Sequence, residues 1–68
     1  MSDKEQMLHT LAGDIQSMGM DGISRRGIQN ILISRYVRLD TDISAAEFEE
    51  MLDEQYEKVA LWRKKERA

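Results

Sequence analysis

The amino-acid sequence predicts an all-α fold: a small three-helix domain with short loops, assembled as a helical homodimer. Three observations carry the fold class. Apolar residues recur at spacings of three and four, not two. Two nearly repeated stretches, "MDGISRRGIQNIL" (20–32) and "DTDISAAEFEEML" (40–52), each read as a helix start. Glycines 19 and 22 separate the first two periodic segments, and the chain has no proline to break any of them. Helices are expected over about residues 3–18, 24–39 and 44–66 of a single domain, 1–68.

The first helix opens on Ser2 and Glu5 as a capping box, and Leu8, Leu11, Ile15 and Met18 form its apolar stripe. Gly19 is placed to end it as the residue after the cap, with Gly22 as a second flexible point. Ser24 caps the second helix, and Ile23 can fold back on Ile28 as a hydrophobic staple. The run "ILISRYVRL" is rich enough in β-branched residues to suggest a strand, but no second such run exists to pair with it, so helix is preferred. The third start is the best signed. Ser44 and Glu47 make the capping box, Ile43 and Phe48 the staple, and Phe48, Met51, Leu52, Val59 and Trp62 share one face with Tyr56 at its edge.

A chain of 68 residues buries only about 60% of its unfolded surface, so a lone monomer is marginal. With no cysteine, neither disulfides nor thiolate metal sites can supply the deficit, and oligomerisation is the expected remedy. The N-terminal stretch lacks a basic segment followed by an apolar core, and no run approaches the ~18 apolar residues of a membrane span. A cytoplasmic location without membrane association is expected. The net charge of −3 conceals segregation by segment: from Ile23 to Leu39 the only charges are Arg25, Arg26, Arg35 and Arg38, whereas Asp40 to Glu57 holds eight acids and no base. The tail from Lys58 onward is mainly basic.

No residue pattern points to catalysis, a cofactor or a metal. Reading a calcium loop from Asp40 puts Ala45 at the turn glycine and Met51 at the bidentate glutamate. Shifting the frame so that Glu47 is the last ligand puts Tyr36 and Arg38 among the early ones. His9 is the only histidine and projects away from the apolar stripe, without signs of an orienting carboxylate or nucleophile. The chain is therefore not expected to be an enzyme.

Helix two carries apolar residues on more than one side. Ile28, Ile31, Leu32 and Leu39 share a broad face that also includes Arg35, read as a snorkelling side chain reaching an acid of helix three. Ile33 and Val37 point elsewhere, and together with Tyr36 and Trp62 they are the expected dimer interface. On helix three, Glu49, Glu50, Asp53 and Glu57 create like-charge pairs four residues apart, a face that either stays solvated or docks a basic partner. Arg25 and Arg26 occupy a first helical turn, where the dipole disfavours cations, and Gly27 replaces the capping-box carboxylate. This junction either contacts a partner, with Arg38 further along the same helix, or is structural: an acid neutralises the arginines and Gly27 lets helix one pack closely.

The stretch "GISRRGIQNILISRYVRL" resembles the central helix of the small enterobacterial biofilm-development and acid-resistance regulators, the AriR or YmgB family, loosely over residues 5–60. By position, Ser24, Arg25 and Arg26 match that family's loop-to-helix junction, and Ile28, Leu32 and Tyr36 its core-facing positions. The cationic tail "LWRKKERA" departs from the pattern, which keeps a phage- or plasmid-encoded regulator in view. The resemblance implies a dimeric three-helix connector protein, without catalytic residues, that regulates bacterial stress, acid or biofilm responses through protein contacts. A protein partner of unknown identity is the expectation. The alternatives are a DNA-binding transcriptional regulator placing Arg25, Arg26, Arg38 and the tail on phosphates, or an acidic mimic that inhibits a host protein.

Overall fold

The computed structural model describes residues 3–37 and 42–67, with only the backbone of 66 and 67. The chain folds as α1 (Asp3–Met20), α2 (Arg25–Tyr36) and α3 (Ala45–Arg67), with no strand among the described residues. The all-α, three-helix class is as the periodicity predicts. Ser2, Arg38 and Leu39 lie outside the described residues.

The stop of α1 differs from expectation. Gly19 lies inside the last turn, and the residue that ends the helix is Gly22, at φ +90°. The Gly22 N–H donates to the Gly19 carbonyl at 3.0 Å and the Ile23 N–H to the Met18 carbonyl at 3.1 Å, the paired bonds of a Schellman motif. Met18 and Ile23 both pack against the core and supply the apolar contact that accompanies it. The two glycines thus serve different needs. Gly22 provides left-handed backbone, whereas Gly19 removes a side chain: a Cβ there would sit 2.9 Å from Val59 Cγ1.

One residue after the Schellman motif the next helix begins. Ser24 is extended (φ −66°, ψ 158°), and its Oγ accepts from the Gly27 N–H at 3.2 Å. The helix ends at Tyr36, three residues short of the expected 39, because Val37 leaves helical geometry (φ −99°, ψ 86°) with its N–H still bonded to the Ile33 carbonyl at 2.9 Å. At α3, Ser44 Oγ accepts from the Glu47 N–H at 3.1 Å and donates to Glu47 Oε1 at 3.2 Å. Ile43 and Phe48 are both buried, as a staple requires.

Contacts recur in the same order along α1 and α3: Lys4 to Glu47, Gln16 to Gln55, Gly19 to Val59. These helices therefore run parallel and pack directly on each other, and α2 returns against both. Leu11 and Ile15 of α1, Ile28, Leu32 and Tyr36 of α2, and Ile43, Phe48 and Leu52 leading into α3 form one buried cluster. With 23 residues, α3 is about 34 Å long at 1.5 Å per residue, and its last turn outruns α1.

The close approach at Gly19 yields a sign reversal. Gly19→Ala should destabilise the protein by about 1–2 kcal/mol, since overpacking against Val59 exceeds the helix-propensity gain. In a Val59→Ala background the same change should be neutral or stabilising by up to ~1 kcal/mol, as denaturant melts of the four chains will show. Gly22→Ala should cost about 1 kcal/mol in either background, because the strain there is in the backbone.

Candidate functional site

The charged surface groups identified in the sequence meet only in part. Arg25 Nε donates to Asp53 Oδ1 at 2.7 Å, and its Nη2 reaches the same oxygen. The α2 junction and the acidic helix are thereby joined within one molecule. Arg26 is exposed and has no described partner, while Arg38 lies outside the described residues. Glu49, Glu50 and Glu57 are exposed along α3, and none of them has a basic partner among the described residues. Gly27 does not serve the approach of α1. A Cβ there would meet Ile23 Cγ2 at 3.0 Å and Ser24 Oγ at 3.3 Å, so its neighbours are the staple and cap of its own helix.

The expected dimer facet of α2 is largely used inside the chain. Ile33 and Val37 are half-buried against the core, and Tyr36 is 6% exposed. Ile31, assigned to the core face by periodicity, is instead 46% exposed. The helix is rotated from the expected orientation so that Ile28, Leu32 and Tyr36, four residues apart, face inward, and the Tyr36 hydroxyl donates to Asp14 Oδ2 at 2.5 Å. That rotation carries Arg35 to the surface, where no described acid pairs with it, so the expected bridge to helix three is absent among the described residues. Of the four interface candidates only Trp62 stands clear, at 44% exposed.

Burial, and then the Asp14 carboxylate that accepts its hydrogen bond, push the Tyr36 phenol up to about 12. The Lys4 ammonium and Glu47 carboxylate, 2.9 Å apart, hold each other charged through a hydrogen bond, raising the lysine and lowering the glutamate. Glu47 is thus at once the capping-box acid of α3 and the tether to the first turn of α1.

Two interactions have weaker sequence signals. Gln55 is 7% exposed and its Oε1 accepts from Gln16 Nε2 at 2.6 Å, leaving no buried side-chain polar atom unsatisfied among the described residues. Its position, three after Leu52 and four before Val59, is that of a core residue, and this spacing is a usable signal. Arg63 donates to the Gly19 carbonyl at 3.4 Å, placing a cation at the negative end of α1, which has no basic residue in its own last turn. Nothing in the local sequence indicates that pairing.

Two shallow clefts flank α3. One, of about 280 Å³, is lined by Gly19, Tyr56, Val59, Ala60, Arg63 and Lys64. The other, of about 150 Å³, lies between Leu8 and Met51 and is rimmed by Glu47, Glu50 and Glu54. The first offers a phenol and two cations, the second three carboxylates on a single helix. No group of three or more potential metal ligands exists among the described residues, His9 is exposed, and no described helix is long and apolar enough to cross a membrane.

Compared with protein-family models, with curated proteins and with solved structures, the chain matches none.

The Tyr36–Asp14 bond sets a pH dependence. An unfolded tyrosine ionises near its ordinary value of 10.0, while the folded phenol holds its proton to about 12, so this contribution is complete below pH 10 and is lost between those values. Tyr36→Phe should lower stability at neutral pH by about 1–2 kcal/mol and flatten the alkaline decline. Denaturant melts from pH 8 to 12 will distinguish this from simple loss of packing, which leaves the decline as steep as in the parent.

Proposed function

We propose that the chain is a small non-enzymatic regulator that acts by protein–protein interaction as a homodimer, with the charged side of α3 as its docking surface. The observation that supports this reading is the exposed cluster of Glu49, Glu50, Asp53 and Glu57, in which only Asp53 has a described cation, Arg25, to offset it. Glu49 with Asp53, and Asp53 with Glu57, stand four residues apart, an arrangement that costs an isolated helix a few tenths of a kcal/mol per pair. A basic protein surface relieves that repulsion on binding. The connector-like role in bacterial stress, acid-resistance or biofilm signalling, and the cytoplasmic setting, rest on the family resemblance and belong to the same proposal.

The phosphate-binding alternative has less support. Arg25 is held by Asp53, and the exposed acids of α3 repel a phosphate backbone that approaches that helix.

Affinity capture from the native cell tests the reading when the parent is compared with Glu49→Gln/Glu50→Gln/Glu57→Gln. The triple variant should melt at the same denaturant concentration or slightly higher, and should lose a protein that the parent retains. Parent chain should also leave a DNA duplex unshifted at low salt. Equal capture by both chains, or DNA binding that falls steeply with added salt, contradicts the proposal.

A further inference from the structure

On α3, Glu50, Glu54, Lys58, Leu61 and Lys65 recur at spacings of four, four, three and four, so they share one side of the helix. All five are exposed, and Leu61, at 57%, is the most exposed large apolar residue of the described chain. The stripe is acidic at its start and basic at its end, with the leucine in the basic half. The i,i+4 contact between Glu54 and Lys58, at 3.8 Å, is its only ion pair among the described residues. Glu50 and Lys65, at opposite ends, have no described partner.

We infer that this stripe pairs with the same stripe of a second copy, the two α3 helices running antiparallel about an axis near Lys58. The charge order selects the geometry. Parallel pairing sets Glu50 against Glu50 and Lys65 against Lys65, whereas an antiparallel twofold sets Glu50 against the other chain's Lys65 twice over. In the same register Glu57 faces Lys58 of the second chain, and Leu61 is covered by the stem of Glu54. An isologous contact needs one patch to be its own complement, and an acid-to-base gradient along a straight helix meets that condition. Glu50 and Glu57 of the docking surface proposed above are shared with this contact, whereas Glu49 and Asp53 lie to one side of the stripe and remain open in the pair. This inference rests on the homodimer reading and assigns it a surface, in place of the α2 facet that the fold uses internally.

Sedimentation of four chains tests it: the parent, Glu50→Lys, Lys65→Glu, and the chain with both changes. Circular dichroism will confirm that each retains the helical fold, as expected for exposed positions. The parent should dimerise reversibly, more weakly as salt is added, and each single reversal should weaken the dimer at least about tenfold. The double change should restore it, and an equimolar mixture of the two singly reversed chains should associate although neither does alone. A parent dimer indifferent to both reversals but dissociated by Ile31→Asp overturns the α3 surface and leaves the homodimer intact. A parent that is monomeric at high micromolar concentration overturns both.

Discussion

The distance between α1 and α3 is set at Gly19. Because that position has no Cβ, Val59 can lie against the α1 backbone, and the rest of the parallel contact follows from the spacing so established. At this separation, Gln16 and Gln55 can bond directly where a wider gap would leave the buried Gln55 amide unpaired. Arg63 can reach the last carbonyls of α1, and at the far end Lys4 meets Glu47. A domain of this size has a small apolar core, so close approach that lengthens the shared contact matters more than it would in a larger protein. The cost is a glycine in a helical turn, about 1 kcal/mol against alanine, and the buried contact offsets it.

Much of the fold is legible in local sequence. The starts of α2 and α3 are readable because capping is a short-range interaction: a serine, the amide three residues on and an apolar residue on either side suffice. Inner faces of α1 and α3 follow from spacing for the same reason. The misreadings concern choices that tertiary contacts decide. Gly19 and Gly22 are equivalent as local punctuation, and only Val59, forty residues away, separates the one that allows contact from the one that turns the chain. In α2 the apolar residues are compatible with more than one rotation. The one adopted buries Ile28, Leu32 and Tyr36, whose phenol meets Asp14, with Ile33 turned inward and Ile31 outward.

The candidate site divides along the same line. That α3 carries a concentrated negative face is a matter of composition and helical period, and the structure leaves Glu49, Glu50 and Glu57 exposed in the same way. That Asp53 engages Arg25 depends on how α2 crosses α3 and has no local signature. The ion pair gives the arginine at the start of α2 a structural partner, although its exposed setting makes the pair worth little in isolation. The near-repeat of the two helix starts thus ends in different uses of one device. At Ser44 the third residue on is a glutamate that also ties down α1, while at Ser24 it is a glycine whose place is crowded by the junction's own Ile23 and Ser24.

Trp62 continues the apolar seam of Phe48, Leu52, Gln55 and Val59, yet it lies where α1 has almost run out, and its ring remains half in water. As the sole tryptophan it dominates the intrinsic emission of the chain, and its surroundings change comparatively little when the core comes apart. Fluorescence from this indole is accordingly a poor gauge of whether the protein is folded. It is a sensitive probe of what settles on the outer end of α3, with unlabelled chain and no engineered dye.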